Sequence, residues 1–164
     1  MTGQRTSKPA MRISDLLTPT TVTTRLKAAN KKQALQDLAK RAAPVIGVGE
    51  RILFETLIER ERLGSTGIGN GVAVPHGRLP GLSAPRGFFA RLEKAVDFEA
   101  VDNRPVDLIF LLVTPEGASG DHLKALALVS RLLRDRKTCE KLRGTDRADA
   151  LYALLVDHAA SDAA

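Results

Sequence analysis

The stretch GSTGIGNGVAVPHGR, residues 64–78, determines how the rest of the chain is interpreted. It contains five glycines and a Pro-His-Gly step at Pro75, His76 and Gly77. A stiff proline before the histidine and a bare glycine after it leave the ring accessible, and the short extended segment places it at a strand end. Unprotonated imidazole can attack phosphorus with one nitrogen while the other donates a hydrogen bond that fixes the tautomer. His76 is therefore the candidate nucleophile for phosphoryl transfer.

The glycines before the histidine have two interpretations. Successive N–H groups without Cβ bulk can form an anion nest, in which Gly67, Gly69, Asn70 and Gly71 would position a phosphoryl group. The alternative is a tight crossover from a helix to a strand. A P-loop is excluded because no Lys-Ser/Thr pair follows the glycines. A dinucleotide-binding turn is excluded because it needs a preceding strand and a following helix, whereas this sequence predicts the reverse.

Phosphoryl transfer requires cations and hydrogen-bond donors near the nucleophile. Arg60, Arg62 and Arg78 are within reach by sequence, although an arginine taken singly is most often a solvated surface residue. His122 follows PEGASGD at the start of a long helix, where its imidazole would join the N-terminal donors of that helix. The alternative for His122 is a structural histidine. His158 falls in the last turn of the final helix and is interpreted as structural.

Apolar periodicity predicts an α/β fold, a mixed sheet of about five strands between helical layers. The predicted helices are NKKQALQDLAKRAAPVIG (30–47), residues 50–63, DHLKALALVSRLLRD (121–135), KTCEKLRG (137–144) and ADALYALLVDHAA (148–160). The predicted strands are TPTTVTTRL (18–26), VAVPHG (72–77), GFFARL (87–92) and PVDLIFLLVTP (105–115). The last strand is almost entirely apolar, which is typical of a central strand covered on both faces.

Local signals also predict helix ends and buried faces. Asn30 and Gln33 resemble a capping box, Pro44 and Gly47 are expected to stop that helix, and Gly64 is placed just after the next one. The residues expected on buried helical faces are Ile52, Leu53, Leu57 and Ile58, and then Leu123, Leu126, Ala127, Val129, Leu132 and Leu133.

Length and composition favour one folded domain over residues 11–158, with a flexible basic arm at 1–10 and a frayed tail at 159–164. The chain has 164 residues, of which 43% are hydrophobic. The single cysteine, Cys139, excludes an intramolecular disulfide and is expected to pack in a helix. No apolar run is long enough to cross a membrane, so we expect a cytoplasmic protein that is not embedded in a membrane.

The net charge of +6 and the pI of about 9.8 raise the possibility of nucleic-acid binding. The basic residues are mixed with acidic ones, and the chain has no tryptophan and only one tyrosine, so base stacking has little to use. We therefore expect no nucleic-acid partner. No histidine pair has the spacing of a zinc site, and neither a metal nor another cofactor is expected.

The segment RERLGSTGIGNGVAVPHGR (60–78), followed by DHLKALALVSRLL (121–133), resembles the type-2 IIA domains of the bacterial phosphotransferase system. The likeness is to the nitrogen-regulatory IIA proteins and also to the fructose and mannitol IIA domains. It implies that a small histidine phosphocarrier protein phosphorylates His76. It also implies that His122 is the assisting histidine and that Arg60 offsets the phosphate charge. The implied fold is a five-stranded mixed sheet between helices, shared with cytoplasmic anion-transporter domains.

The same resemblance leaves several functions open. Because no IIB or membrane-spanning IIC part is present, it favours a regulatory protein whose phosphorylation state is its output. The kinds of target it implies include potassium transport and a sensor kinase. One alternative is a sugar-specific IIA component that passes phosphate to a IIB domain. Another is a non-catalytic anion- or partner-binding module of the same fold, whose members need not keep the histidine.

Overall fold

The computed structural model describes residues 10–117 and 119–162, with the side chains of 119 and 158–162 outside that description. Its helices are α1 (Ile13–Leu16), α2 (Lys31–Ile46), α3 (Glu50–Arg62), α4 (Ser119–Arg134), α5 (Arg136–Arg143) and α6 (Ala148–Asp162), with a 3-10 turn at Pro19–Thr21. Its strands are β1 (Val22–Leu26), β2 (Gly67–Gly69), β3 (Val72–Ala73), β4 (His76–Leu79), β5 (Arg86–Val96) and β6 (Val106–Pro115).

The strands form one mixed sheet in the order β1, β5, β6, β3, β2, and β4 also pairs with β6. β5 and β6 are antiparallel, whereas β1 is parallel to β5 and both β3 and β4 are parallel to β6. Since β3 and β4 pair with successive parts of β6, the strands occupy five positions across the sheet. The predicted mixed sheet between helical layers is confirmed. β2 is an additional strand that pairs antiparallel with β3.

Strand β6 is apolar because its alternate side chains enter two different cores. Ile109 and Leu111 pack in the layer that contains α2 and α3. Leu108 and Phe110 pack in the opposite layer, which contains α1, α4, α5 and α6. Burying each of these side chains contributes about 1.5–3 kcal/mol, so both faces of the strand must be apolar.

Helix α2 begins and ends where its sequence predicts, but Pro44 has no part in stopping it. The side-chain oxygen of Asn30 accepts the N–H of Gln33 at 2.9 Å, which caps the first turn. The prediction that Pro44 stops the helix is wrong, because Pro44 lies inside its last turn. There a proline removes a single backbone hydrogen bond. Gly47, with φ +88°, ends the helix by donating its N–H to the carbonyl of Ala43.

The buried faces of α3 and α4 are narrower than predicted. Leu53 and Leu57 are fully buried four residues apart, but Ile52 is 42% exposed because it precedes that row by one position. In α4, Leu123 is 67% exposed and Ala127 is also exposed. Val129, Leu132 and Leu133 are buried as predicted, and His122 and Ala125 complete the buried row. This row turns His122 towards the sheet.

The structure describes little of the predicted N-terminal arm and more of the predicted C-terminal tail. The predicted basic arm at 1–10 lies outside the described residues except for Ala10. Helix α6 continues to Asp162, into the tail predicted from 159, through two alanines, which are the strongest helix formers; fraying there stays a prediction. In the described part of the chain, no helix is both long and apolar enough for a membrane crossing.

Candidate active site

His76 begins β4, which follows β3 along the same side of β6 after a break of two residues. Val74 and Pro75 separate the two strands, and the Pro75 carbonyl accepts the N–H of Leu112 at 2.9 Å. His76 is therefore the first residue of β4, paired with Leu112, rather than the last residue of a strand as predicted. The central strand fixes its backbone on one side, and its ring is only partly covered.

Both ring nitrogens of His76 have a defined partner. Nδ1 lies 2.7 Å from the carbonyl oxygen of Val74, and Nε2 lies 3.2 Å from the Nε of Arg60. A carbonyl can only accept a hydrogen bond and a guanidinium can only donate one. The hydrogen of the neutral ring is therefore on Nδ1, and Nε2 carries the lone pair.

Arg60 lies in the last turn of α3, where the chain turns back towards the sheet. Its Nη1 donates to the carbonyl of Gly64 at 2.8 Å, which holds the guanidinium against His76. Arg62 instead pairs with Glu59 on the exposed face of the helix. Arg78, two residues after His76, lines the same cavity.

His122 stands beside His76, with ring centroids 5.6 Å apart. It is 8% exposed, and its Nδ1 lies 2.6 Å from the hydroxyl oxygen of Thr114, a fully buried residue at the end of β6. The prediction placed His122 at the start of α4 but gave it no partner. The hydroxyl at the end of the neighbouring strand is that partner.

Burial shifts both imidazoles towards their neutral forms. The pKa of His76 lies below its ordinary value of 6.5, mainly because the ring is desolvated; the Val74 hydrogen bond partly opposes this, and Arg60 reinforces it. The pKa of His122 is also lowered, by burial and by the neighbouring charges of His76 and Arg78. At neutral pH the Nε2 of His76 is thus unprotonated, as a nucleophile requires.

The two histidines open into a cavity of about 360 Å³. It is lined by Thr56, Glu59, Arg60, Leu63, His76, Gly77, Arg78 and His122. The close packing of β4 on α3 depends on Gly77, since a Cβ there would lie 2.5 Å from Cγ2 of Thr56. Leu63, at the rim, is 85% exposed.

The glycine turn does not lie at this cavity. Gly69, Asn70 and Gly71, all with positive φ, connect β2 to β3 at the other end of β6. The pairing of Val72 with Leu108 and of His76 with Leu112 places the turn on the order of 13 Å or more from His76.

The backbone N–H and carbonyl of Asn70, in the middle of that turn, already have protein partners. Asp102 accepts the Asn70 N–H, and Arg143 donates to the Asn70 carbonyl. Gly67 is covered by Ala100. The prediction that Gly67, Gly69, Asn70 and Gly71 position a phosphoryl group is therefore wrong, and the crossover alternative describes them better.

Sequence reasoning missed the partners that orient the site. The Val74 carbonyl gives no sequence signal, because any residue supplies a carbonyl. Thr114 could have been suspected as a polar residue at the end of an apolar run, and Gly77 was singled out for the access it gives to His76 but not for the packing of β4 on α3. Gly64 contributes to the site through its carbonyl, which accepts a hydrogen bond from Nη1 of Arg60.

Cys139 is not among the residues that line the cavity. Cys139 is buried, its thiol donates to the carbonyl of Leu133 at 3.3 Å, and burial raises its pKa. It packs in α5 as expected. His158 lies in α6, and its side chain is outside the described residues. Within the described part, His, Cys, Asp and Glu side chains form no cluster of three or more that could hold a metal ion.

Comparison with known proteins agrees with this geometry. Residues 15–158 match the model of the family described as phosphoenolpyruvate-dependent sugar phosphotransferase system, EIIA 2. A nitrogen regulatory protein of Bradyrhizobium diazoefficiens is 53% identical over 145 residues, which are 88% of this chain and 95% of that protein. One from Pseudomonas aeruginosa is 38% identical, covering 90% of this chain and 96% of the relative.

A solved structure supports the same relationship. The nitrogen regulatory protein IIA-Ntr of Neisseria meningitidis superposes with a TM-score of 0.81 at 34% identity, covering 87% of this chain and 98% of the other. The resemblance predicted from residues 60–78 and 121–133 is confirmed. The chain belongs to the EIIA 2 family of the phosphoenolpyruvate-dependent sugar phosphotransferase system.

Proposed function

We propose that this chain is a regulatory phosphoryl carrier whose acceptor is Nε2 of His76. The proposal rests on the two hydrogen bonds of that ring. Nδ1–H donates to the carbonyl of Val74, and Nε2 accepts a hydrogen bond from Nε of Arg60. Together they place the hydrogen on Nδ1 and the lone pair on Nε2, where it accepts the Arg60 hydrogen bond, in a residue that lines the cavity. A buried metal or cofactor is not required for this chemistry.

In the proposed step, Nε of Arg60 gives up its hydrogen bond to Nε2, and the freed lone pair attacks the phosphorus of a phosphohistidine on a small histidine phosphocarrier protein. A new N–P bond forms at His76 while the donor's N–P bond breaks, and its electron pair returns to the donor's ring. The hydrogen stays on Nδ1 of His76, which continues to donate it to the carbonyl of Val74. Because the reaction exchanges one phosphoramidate for another, the site must mainly position the groups and offset charge.

Arg60 and His122 supply that positioning. Once it has left the Nε2 lone pair, the Arg60 guanidinium remains beside that nitrogen and can donate to an oxygen of a phosphoryl group on it. If the Thr114 hydroxyl donates to Nδ1 of His122, the hydrogen of the neutral His122 ring is on Nε2. We assign His122 the role of donating this hydrogen to a phosphoryl oxygen.

The proposed output is regulation by phosphorylation state, in the cytoplasm. The full-length relatives named nitrogen regulatory protein support it. The phosphoryl group itself would carry about −1.5 to −2 charges, by analogy with other phosphorylated residues, and the positive charge of a ring that keeps its Nδ1 hydrogen would offset part of it, so the cavity mouth becomes more negative. A target protein can distinguish the two states by this charge, and the kinds of target we propose are a potassium-transport protein and a sensor kinase.

The proposal is tested by incubating the chain with the phosphoenolpyruvate-dependent donor proteins and measuring its intact mass. We expect one added phosphoryl group in the wild type and none in His76→Ala. A His76→Ala chain that still gains the group would refute the assignment. His122→Ala is the matched comparison, because it removes the neighbouring imidazole and keeps the acceptor; it should still gain one phosphoryl group, but more slowly.

Partner capture then separates the regulatory role from a sugar-transport role. Phosphorylated and unphosphorylated chains are immobilised side by side, and the bound proteins are compared at low and high salt. A regulatory protein predicts a target that prefers one state, with a preference that weakens as salt increases. Rapid transfer of the phosphoryl group to an added IIB protein would instead support the sugar-transport alternative.

A further inference from the structure

A buried carboxylate lies next to Arg60 in sequence but on the other side of α3. Glu61 is 8% exposed, and its carboxylate accepts the N–H of Thr66 at 3.1 and 3.2 Å. The Thr66 hydroxyl donates to the same carboxylate. Lys31, at the start of α2, forms an ion pair with it at 2.7 Å.

From Thr66, one path of hydrogen bonds leads to Nδ1 of His76. The carbonyl of Thr66 accepts the N–H of Val74 at 2.9 Å. The carbonyl of Val74 in turn holds Nδ1 of His76 at 2.7 Å. Glu61, Thr66 and Val74 therefore connect the end of α3 to the nitrogen that must keep its hydrogen.

A second path leads from the same turn to Nε2 of His76. The carbonyl of Glu61 accepts the N–H of Gly64 at 3.1 Å. The carbonyl of Gly64 accepts Nη1 of Arg60 at 2.8 Å, and Nε of Arg60 faces Nε2 of His76. The segment between Glu61 and Thr66, closed by their side-chain bonds, thus sets the position of Gly64.

We propose that Glu61 and Thr66 are positioning residues that orient both ring nitrogens of His76 from one buried anchor. The kinetic consequence rests on the proposed phosphoryl transfer, whereas the orientation of the ring does not. Neither side chain is among those that line the cavity. Their effect therefore passes through Val74 and Arg60 and not through contact with the phosphoryl group.

Lys31 explains how a carboxylate can be buried here. An unpaired carboxylate in this position would carry a large desolvation cost. The Lys31 side chain is only 17% exposed, and its ammonium lies 5.2 Å from the ring centre of Phe98. The negative charge of Glu61 also raises the pKa of His76, against the larger effect of burial.

The test uses nitrogen NMR of the histidine rings in the unphosphorylated full chain. The disrupting variants are Glu61→Ala, which removes both side-chain bonds to Thr66, and Thr66→Val, which removes only the hydroxyl. The conservative variants are Glu61→Gln and Thr66→Ser, which keep an acceptor and a hydroxyl. Glu55→Gln, an exposed glutamate on α3, is the matched control, and His122 is the internal reference because Thr114 holds it independently.

We expect the wild-type His76 ring to be almost entirely in the Nδ1–H form and the disrupting variants to show a mixture of tautomers. The conservative variants and Glu55→Gln should resemble the wild type, and the His122 signals should be unchanged throughout. In transfer assays, kcat should fall up to about a hundredfold in Glu61→Ala with the KM for the donor protein unchanged. Thr66→Val should show a smaller fall in the same direction.

A purely structural role would lower thermal stability without moving the His76 ring signals, and that result would overturn the proposal. Equal changes at His76 and His122 would also overturn it. If Glu61→Ala does not fold, Thr66→Val decides the question. If the wild type is not phosphorylated on His76, the proposed function fails, but the tautomer measurement still tests the anchor.

Discussion

The Nε of Arg60 lies 3.2 Å from Nε2 of His76, opposite the nitrogen that bonds Val74. In this contact the Arg60 guanidinium donates a hydrogen bond to the lone pair on Nε2 of His76, the proposed nucleophile. It also explains why the end of α3 and the start of β4 must be held together. The following predictions concern the groups that maintain this arrangement.

Arg60→Ala should slow phosphorylation of His76 by roughly 10²–10³-fold, the usual effect of removing one preorganised donor to developing charge. The rate is measured by quenched-flow transfer from the phosphorylated donor. Arg51→Ala is the control, because Arg51 lies on the same helix with its side chain 91% exposed. An unchanged rate in Arg60→Ala would remove this residue from the mechanism.

Thr114→Val should release His122 while nearly preserving the shape of the core. The change leaves Nδ1 of His122 without its partner, and we expect unfolding free energy to fall by about 1–3 kcal/mol. Phosphorylation should be slower but still confined to His76. Chemical denaturation and transfer kinetics measure the two effects, and Thr114→Ser should restore both.

The pH dependence follows from the lowered pKa values of His76 and His122. Each ordinary value is 6.5, so the unfolded chain binds more protons than the folded chain as the pH falls through this region. Unfolding free energy should therefore decrease as the pH falls below 6.5 and level off below the folded-state pKa. His122→Asn should lose its part of this dependence in denaturation series at several pH values.

The phosphorylation rate should show a related profile. It should be nearly constant between about pH 7 and 8, because the pKa of folded His76 lies below its ordinary value and Nε2 is already unprotonated there. It should fall with pH below that pKa. An NMR titration of the His76 ring supplies the pKa, and a midpoint above 6.5 would contradict the burial that we describe.

Gly77→Ala should move α3 away from β4, because the new Cβ would meet Cγ2 of Thr56 at 2.5 Å. Since Arg60 is one turn further along α3, we expect slower phosphorylation and lower stability. Thr56→Ser removes that methyl group but keeps the hydroxyl that donates to Ile52. The double variant should regain most of the lost rate, and a double variant as slow as Gly77→Ala would show that the two residues are not coupled.

The sequence predicted much of the fold because its signals were local or periodic. The alternation that sends Ile109 and Phe110 to opposite cores makes β6 an apolar run, and Asn30 marks the start of α2. Periodicity was less successful at the edges of buried faces. Leu123 is apolar and adjacent to the buried row, yet only the packing of α4 on the sheet decides that it is exposed.

The candidate site was predicted only in part, because only some of its residues give a local signal in the sequence. Residue type and motif identified His76, His122 and Arg60, which the fold brings together. The glycine turn was misplaced because proximity in sequence does not give the register of β3 on β6, which carries Asn70 to the far end of the strand. The orienting carbonyl of Val74 is a backbone group, and no residue type reveals it.

The most direct test of the central claim is the position of the phosphoryl group on the His76 ring. The ¹⁵N-labelled chain is phosphorylated by its donor proteins, and phosphorus-nitrogen coupling identifies the nitrogen that carries the group. We predict attachment to Nε2 of His76, with the Nδ1 hydrogen still donated to the carbonyl of Val74. Attachment to Nδ1, or to His122, would contradict the arrangement of Arg60 and Val74 as the basis of the chemistry.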